Sequence, residues 1–415
     1  MRQPVPGPPP TRCRARDLGI RIGHFPPGPT DSIADVTGVR VGHATVWRNE
    51  PPPPAGRGVA RTGVTAIVPF DPGELFRSRV PAGAALLNGA GEAIGITQIG
   101  EWGVIETPVF LTSTMALGRV ADAAVAALAE LDPAIGEDDA LLPVVAECDD
   151  GYLSTSPRTQ IEPGDVRRAL AAARGAEAGA PATGAVGSGT GMTCFGLKGG
   201  IGTASRRVVP VDRRAWAETG ATAGTDAGEA AYTVGVLVMA NFGLLEWLTV
   251  DGVPVGRELR AAGWSGVERR AEPGERRDAG SCIVVVATDA PLLSGQLDRL
   301  ARRAGLGLGR TGSFAGHGSG EIFLAFSTGV RIPRGSSRSH LDLRIVDDEY
   351  LGPFFAATVE ATEEAVIDAL VGADTVTGRD GRVAPALPLA QTVAILRRHG
   401  HAGATVPVSP GGGPG

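Results

Sequence analysis

Three runs of the sequence are apolar at nearly every position: Tyr232–Ala240, Cys282–Ala287 and Ile322–Phe326. A strand with one solvated face alternates polar and apolar residues, whereas a strand covered on both faces is apolar throughout. The three runs therefore predict strands in a sheet that is packed on both sides. Similar short runs alternate with alanine-rich segments of helical spacing, which predicts an α/β or α+β fold with helices layered over sheets.

Other elements follow from the same patterns. A helix is predicted to begin near Pro291, because proline suits a first helical turn, and to end at Gly305. Further strands are predicted at 64–68, 104–111 and 142–146, and further helices at 119–131, 166–174 and 354–370. No linker after residue 60 separates two domains, so we expect a single domain over 1–415. The Pro/Gly-rich ends, 1–13 and 404–415, are predicted to be disordered tails.

Composition excludes several classes of function. Hydrophobic residues make up 43% of the 415 residues, and the formal net charge is −6, which argues against a general nucleic-acid or anionic-membrane surface. No run approaches the ~20 apolar residues of a membrane span. The four cysteines form no CxxC pair and the six histidines no HExxH motif, so we expect neither a metal site nor another cofactor. A cytoplasmic, soluble protein is predicted.

Two glycine-rich segments are candidates for a binding or catalytic site. The first, 187–205, holds Lys198, the only lysine, but it lacks GxxxxGK[ST] because Gly199 follows the lysine, so nucleotide binding is disfavoured. The second, 306–321, delivers Ser319 and Glu321 to the start of a strand. Residues i and i+2 of a strand share a face, so this hydroxyl and carboxylate can serve one centre. The alternative interpretation is a turn with a solvent-facing glutamate.

Acidic residues follow the predicted strand 142–146 in the sequence Glu147-Cys-Asp-Asp150. Carboxylates at a strand end can hold a cation or a substrate ammonium group, and the alternative is a solvated loop. Another junction, Gly280-Ser281, joins a charged stretch to an apolar strand. It reads either as a loop end or as a cleavage point that makes Ser281 a new N-terminus.

Together these segments resemble a known peptidase family, S58, typified by the aminopeptidase DmpA and the β-peptidyl aminopeptidases. The resemblance runs from about Arg14 to His399. The blocks that carry it are 14–23, 35–43, 61–65, 187–195, 199–205, 238–243, 280–291 and 318–328. It implies a layered α/β/β/α sandwich of the DmpA type, similar to the N-terminal nucleophile (Ntn) hydrolases.

The resemblance also implies self-cleavage between Gly280 and Ser281, giving an α polypeptide (1–280) and a β polypeptide (281–415). Ser281 is then the N-terminal nucleophile, and its free α-amine is the neighbouring base, since an α-amine ordinarily has a pKa of about 7.7–8.0. We expect Gly280 to permit a strained turn at the scissile bond. Cys282 departs from the plain aliphatic residue expected after the nucleophile.

Matching positions assign further roles by resemblance. Ser319 and Glu321 orient the new amine and hydroxyl and carry protons, and Asn241 donates to the oxyanion. Tyr152 corresponds to an active-site tyrosine. Glu147 is the candidate for binding the substrate ammonium, although Asp149 and Asp150 stay open as alternatives.

The lead hypothesis is a self-processing serine aminopeptidase acting on small peptides, amides or esters with a free N-terminus. One alternative is an amide hydrolase of ω-amino-acid oligomers, against which the serine nucleophile counts. Another is a non-catalytic precursor that keeps the fold. The resemblance further implies a homo-oligomer, commonly four αβ units.

Overall fold

The three apolar runs form neighbouring strands of one sheet, as predicted. The structure is a computed structural model that describes residues 13–155, 159–176, 179–211, 214, 216, 231–267, 280–335, 337 and 339–405. Its strands are β1 Arg40–Asn49, β2 Val59–Val68, β3 Ser78–Gly89, β4 Ala93–Ile94, β5 Val104–Ile105, β6 Val109–Ser113, β7 Val144–Cys148, β8 Thr193–Cys194, β9 Leu197–Lys198, β10 Gly200–Val208, β11 Tyr232–Asn241, β12 Gly280–Thr288, β13 Ser319–Ser327, β14 Ile332–Pro333, β15 Val376–Thr377 and β16 Val383–Ala384.

Helices flank these strands along the chain. The α-helices are α1 Pro72–Leu75, α2 Ile96–Trp102, α3 Leu117–Ala129, α4 Pro163–Gly175, α5 Val255–Ala261, α6 Ser294–Arg310, α7 Gly352–Val371 and α8 Leu389–Arg398. Short 3₁₀ turns occur at Ala15–Leu18, Ile33–Asp35, Thr114–Ala116, Gly187–Gly191, Leu245–Trp247, Asp348–Tyr350 and Arg379–Gly381. None of the described helices has the length and hydropathy of a membrane span.

Two sheets form the centre of the molecule. The small sheet has the strand order β1-β2-β6-β7-β4, and the large sheet has the order β10-β11-β12-β13-β3-β14, with β5 paired to β3. In the large sheet β12 is antiparallel to β11 and parallel to β13. The end of β11 therefore lies beside the beginnings of β12 and β13.

Alternate residues of the large sheet enter two different cores. Ile283 and Val285 of β12 belong to a cluster shared with β1, β2, β6 and β7, whereas Val284 and Val286 belong to a cluster shared with α6 and α7. Helices α3 and α4 cover the opposite side of the small sheet. The layers are thus helices, small sheet, large sheet, helices, which confirms the predicted α+β sandwich and explains why the strands are apolar on both faces.

Several predicted boundaries move in the structure. The predicted strand 104–111 is divided into β5 and β6, and Pro108, which has no N–H to donate to a sheet, lies in the gap. Helix α6 continues through Gly305 to Arg310, so the predicted stop at Gly305 is wrong. A Cβ at Gly305 would lie 3.2 Å from the Phe323 ring, so this glycine serves close helix–sheet packing.

Buried charges join the N-terminal segment to helix α7. Arg14 Nε lies 2.7 Å from Asp368 Oδ1, and the fully buried guanidinium of Arg206 pairs with Glu360 and Glu364. Buried charges are tolerated when they are paired, and removing one partner leaves the other uncompensated. This cluster therefore holds the beginning of the described chain against α7 and β10.

The described residues extend a little into both predicted tails, 1–13 and 404–415. Ala404 is fully buried, and the Thr405 N–H donates to the Leu18 carbonyl at 2.8 Å, so these two residues are part of the fold rather than of a disordered tail. The remainder of both tails, except residue 13, lies outside the described residues.

Helix α7 packs on β10 through a glycine. A Cβ at Gly202 would lie 1.9 Å from the Ala365 carbonyl oxygen and 2.6 Å from the Ala369 amide nitrogen. Since both neighbours are backbone atoms of a helix, the sheet and helix would have to separate to admit a side chain.

We expect Gly202→Ala to lower the free energy of unfolding by at least about 2 kcal/mol, because overpacking of this kind strains the core. Gly309→Ala is the matched control, since nothing lies within 4 Å of a Cβ in that helical position. The control should be neutral or stabilise by about 0.5–1 kcal/mol. Equal denaturation midpoints for Gly202→Ala and the wild type would contradict this packing.

Asp150 is a buried carboxylic acid that lies beside strands β2 and β6 of the small sheet. It is 4% exposed, it lies beside the side chains of Thr62 and Ser113, and its Oδ2 atom has no hydrogen-bond partner among the described residues. Burial raises its pKa to about 7. The neutral, protonated form is therefore the form that the folded protein favours below that pH.

This pKa predicts a pH dependence of stability. Because the folded pKa exceeds the unfolded one, the stabilising contribution of the protonated acid is complete below about pH 4 and is lost as pH rises through about 7. We expect Asp150→Asn to abolish a decline on the order of 2–4 kcal/mol between pH 5 and pH 8, measured by urea denaturation. Asp149→Asn, at the exposed neighbouring residue, is the control and should keep the decline.

Candidate active site

Three strand ends bring the predicted catalytic residues together. Asn241 is the last residue of β11, Ser281 the second of β12 and Ser319 the first of β13. Asn241 is the register partner of Ser281, and Ser319 is the register partner of Gly280. The predicted nucleophile, oxyanion donor and serine–glutamate pair thus surround the Gly280–Ser281 peptide bond.

Ser281 faces the space between the two sheets. Neighbouring residues of a strand point to opposite faces, and Ile283 lies in the core between the sheets whereas Cys282 lies in the core under the helices. Ser281 is 4% exposed and lies beside the side chain of Cys148 on β7. Asn241 Nδ2 lies 3.5 Å from Ser281 Oγ.

Both ends of the Asn241 amide are fixed by backbone groups. The Thr193 N–H donates to Asn241 Oδ1 at 2.9 Å, and Asn241 Nδ2 donates to the Asp149 carbonyl at 2.9 Å. The orientation that directs the NH₂ group toward Ser281 follows from these two contacts. An N–H donor beside a nucleophile is the arrangement that stabilises an oxyanion.

Ser319 and Glu321 form a buried pair on the other face of the sheet. The Ser319 hydroxyl donates to Glu321 Oε1, and Glu321 is fully buried. Burial raises the pKa of this carboxyl, which the hydrogen bond from Ser319 partly offsets. Its second oxygen, Oε2, has no hydrogen-bond partner among the described residues. The two side chains therefore share one face of β13 and touch, as the i, i+2 spacing indicates, and their shared catalytic role stays a prediction.

The register places these two groups on opposite sides of one peptide bond. Ser319 and Glu321 pair with Gly280 and Cys282, so they share the face of those residues, while Ser281 occupies the other face. The bond between Gly280 and Ser281 therefore has a hydroxyl and an amide donor on one side and a buried carboxylate on the other.

Gly280 has a different role from the one expected. Its backbone is not in the left-handed region, and it forms the first residue of a strand, with its N–H 3.4 Å from the Gly318 carbonyl. A Cβ at this position would lie 2.8 Å from the Asn241 carbonyl oxygen and 2.9 Å from the Phe242 Cα. The glycine therefore allows close approach of β11 rather than a strained turn.

Glu147 lies near the same strand ends. Its Oε1 accepts from the Glu92 N–H at 2.9 Å, and Oε2 accepts from the Thr114 hydroxyl. Burial raises the pKa of this carboxyl. A Cβ on Gly91 would lie 3.3 Å from Glu147 Oε1 and 3.7 Å from the Gly320 Cα, so only a glycine separates this carboxylate from β13.

The other two acids of the cluster differ from Glu147. The Asp149 side chain is exposed and accepts from the Gly151 N–H, while its backbone carbonyl holds Asn241. Asp150 points into the small sheet, as described above. Tyr152 is further along the segment, and its hydroxyl donates to the Val383 carbonyl at 3.3 Å.

Two contacts of the site are not predicted by the sequence. Cys148 is an isolated cysteine in the sequence, and its contact with Ser281 depends on how the two sheets stack. Thr193 acts through its backbone N–H, which leaves no signal in the side chain. Cys282, by contrast, is fully buried in the core under the helices, where it packs as a small apolar residue.

The described residues contain no group of three or more His, Cys, Asp or Glu side chains arranged to hold a metal ion. The side chains at the three strand ends carry hydroxyl, amide and carboxylate groups. These are the groups of nucleophilic acyl transfer.

Comparisons with known proteins find relatives over most of the chain. The sequence model of peptidase family S58 matches residues 31–384. The β-peptidyl aminopeptidase BapA of Sphingosinicella microcystinivorans is 41% identical over 394 residues, covering 93% of this chain and 92% of that protein. A β-aminopeptidase of Burkholderia sp. superposes with a TM-score of 0.79 at 40% identity, over 94% of this chain and 99% of that one.

A third relative is a serine aminopeptidase whose fold has been compared with that of the Ntn hydrolases. The L-aminopeptidase D-Ala-esterase/amidase of Ochrobactrum anthropi superposes with a TM-score of 0.80 at 38% identity, again over 94% of this chain and 99% of that one. Its structure is described as a prototype for the serine aminopeptidases and as a variant of the Ntn hydrolase fold. With a family match over most of its length and relatives near 40% identity, the chain belongs to peptidase family S58.

Proposed function

We propose that the protein is a serine aminopeptidase that cleaves its own Gly280–Ser281 bond and then uses Ser281 as an N-terminal nucleophile. One observation carries the proposal: the hydroxyl of Ser281, the amide of Asn241 and the Ser319–Glu321 pair lie on the two sides of this single peptide bond. The substrates are small peptides, amides or esters with a free N-terminal amine, handled by one catalytic domain over 1–415.

Self-cleavage begins with attack of Ser281 Oγ on the carbonyl carbon of Gly280. The C–N bond breaks as the C–O bond forms, the hydroxyl proton passes to the leaving amine, and the Gly280 acyl group is left as an ester on Ser281. Water then hydrolyses the ester and releases the Gly280 carboxylate. Asn241 Nδ2 donates to the developing oxyanion, a contact worth about 10²–10³ in rate in comparable sites.

Turnover repeats this chemistry on a substrate. The new α-amine of Ser281 is a base near neutral pH and accepts the proton of its own hydroxyl. When protonated, the amine needs a negative partner, and Glu321, whose Oε2 accepts no hydrogen bond from the described residues, is a suitable one. Ser319 holds the other oxygen of that carboxylate in place. Tyr152 is a further proposed catalytic residue, because it corresponds to an active-site tyrosine of the family.

We further propose that Glu147 binds the substrate ammonium. It is the acid next to β13, and two donors fix its carboxylate. Asp150 is a weaker candidate because it is buried in the small sheet with a pKa raised to about 7, and a neutral acid does not attract an ammonium group. Asp149 remains the alternative because it is exposed beside Asn241.

Relatives named β-peptidyl aminopeptidase, β-aminopeptidase and L-aminopeptidase support the substrate class. They leave open whether L-, D- or β-aminoacyl groups are preferred here. Hydrolysis of ω-amino-acid oligomers is the enzyme alternative, and a panel of L-, D-, β- and ω-aminoacyl p-nitroanilides separates these classes.

We also propose a cytoplasmic homo-oligomer of αβ units. The resemblance to the family implies such an assembly, and an interface would cover exposed apolar side chains such as Leu86, Leu87 and Leu306, which are 64%, 55% and 62% exposed. Light scattering of the purified protein distinguishes a tetramer from a smaller assembly.

The first test is the state of the chain. We expect the purified protein to give two bands on a denaturing gel, of about 280 and 135 residues, and Ser281→Ala to give one full-length band. Ser337→Ala, at an exposed serine, is the control and should be cut normally. Cleavage of Ser281→Ala at the wild-type rate would contradict the assignment of the nucleophile.

The second test concerns the ammonium site. We expect Glu147→Gln to raise KM for an aminoacyl p-nitroanilide by about tenfold or more, because an ion-paired hydrogen bond is worth roughly 1.5–3 kcal/mol. Asp149→Asn is the matched control and should change KM by less than about threefold. The opposite pattern, with KM raised only by Asp149→Asn, would transfer the role to Asp149.

A further inference from the structure

The only lysine of the chain is buried next to the candidate site. Lys198 is fully buried, and its Nζ donates to the carbonyls of Gly189, Met192 and Gly199 at 3.0, 2.8 and 2.7 Å. An ammonium group has three N–H donors, so all of them are used. This lysine has no donor left for a phosphate, and its role has to be sought within the protein.

One of the three carbonyls leads directly to Asn241. The Met192 carbonyl, which accepts from Lys198, belongs to the same peptide group as the Thr193 N–H, which donates to Asn241 Oδ1 at 2.9 Å. Asn241 Nδ2 in turn lies 3.5 Å from Ser281 Oγ. One planar peptide group therefore joins the buried Lys198 amine to the amide beside the nucleophile. Burial lowers the pKa of this amine to about 7, and the three carbonyls that accept from Nζ stabilise its protonated form.

Such a chain of hydrogen bonds is polarised by the charge at its end. A cation on the carbonyl oxygen makes the N–H of the same peptide a stronger donor, and that donor makes the side-chain amide of Asn241 a stronger donor at Nδ2. The peptide is also held in one orientation, since the Gly199 N–H donates to the same Met192 carbonyl at 3.1 Å.

The residue type agrees with this role. Every other basic side chain among the 39 is an arginine, yet a lysine occupies this position. A guanidinium group is planar with five donors, whereas an ammonium group is compact and directs three donors toward three carbonyls. The backbone around Lys198 is closely packed and requires glycine: a Cβ on Gly199 would lie 2.5 Å from the Ala240 carbonyl oxygen and 2.7 Å from the Cys194 Cβ.

We propose that Lys198 is a positioning residue for catalysis, which orients and polarises Asn241 through the Met192–Thr193 peptide group. The inference rests on the proposed function, since it assigns Lys198 to the oxyanion donor of Ser281. Lys198 touches neither substrate nor nucleophile. Its effect belongs to the transition state, so it changes kcat and the rate of self-cleavage rather than KM.

The test is a double-mutant cycle on the full-length chain. The rate of self-cleavage is followed on denaturing gels, and kcat and KM are measured with an aminoacyl p-nitroanilide, normalised to the 281–415 fragment. We expect Asn241→Ala to lower the cleavage rate by about 10²–10³ and Lys198→Met to lower it by about 10-fold or more, with KM within about twofold. In the Asn241→Ala background, Lys198→Met should have less than about a threefold further effect.

A control separates this role from loosening of the glycine-rich turn. Thr190 donates to the Gly187 carbonyl at 2.6 Å in the same buried turn, so its hydroxyl proton is directed away from the Met192–Thr193 peptide group. Thr190→Val should keep the cleavage rate within about threefold of the wild-type rate, even where it lowers the melting temperature as much as Lys198→Met does. Equal losses in Thr190→Val and Lys198→Met would overturn the proposal.

A second measurement applies if Lys198→Met does not fold. Because there is one lysine, wild-type protein labelled with ¹³C at the lysine ε-carbon gives a single NMR signal. Aminomethylboronic acid, which forms a tetrahedral adduct with a serine hydroxyl, should shift this signal in the wild type and leave it unmoved in Asn241→Ala. An inhibitory boronate that leaves the wild-type signal unmoved would overturn the proposal.

The outcomes distinguish the inference from the proposed function. If Ser281→Ala and Asn241→Ala keep wild-type activity, the proposed function is wrong and the role of Lys198 falls with it. If Ser281→Ala and Asn241→Ala both lose activity, but Lys198→Met lowers the rate as much in the Asn241→Ala background as in the wild type, only the inference about Lys198 is wrong.

Discussion

The stacking of the two sheets determines where reactive groups can lie. Each central strand of the large sheet is covered by the small sheet on one face and by α6 and α7 on the other, so its middle accepts apolar side chains only. Polar residues are left to the strand ends, where loops and backbone groups satisfy them. Asn241, Ser281 and Ser319 occupy such ends, and the antiparallel and parallel pairings bring these ends to one place.

Within this site, backbone groups do much of the positioning. Asn241 is held by a peptide N–H and a carbonyl, Glu147 by a peptide N–H and a hydroxyl, and Lys198 by three carbonyls. Close backbone approach requires glycine, which accounts for Gly199 and Gly280 at these positions. The glycine density that resembles a phosphate-binding loop is explained by strands and turns that approach one another closely.

The sequence predicted those features that depend on local patterns. Uniformly apolar runs predicted the doubly covered strands, and i, i+2 spacing predicted the contact of Ser319 with Glu321, because both follow from the geometry of a single strand. It did not predict the contact of Cys148 with Ser281, which depends on the stacking of two sheets, nor the donor at Thr193, which is a backbone atom. The predicted helix end at Gly305 was wrong because glycine occurs both where helices end and where a helix packs closely on a sheet, and the sequence does not distinguish the two.

The burial of Lys198 has a consequence for the chemical reactivity of the whole molecule. Since all other basic side chains are arginines, the folded surface offers acylating reagents no side-chain amine. Only α-amines at chain ends remain for such reagents. Cleavage after Gly280 would create one of these at the nucleophile itself, so amine-directed labelling of the processed enzyme would act as a covalent modification of its catalytic centre.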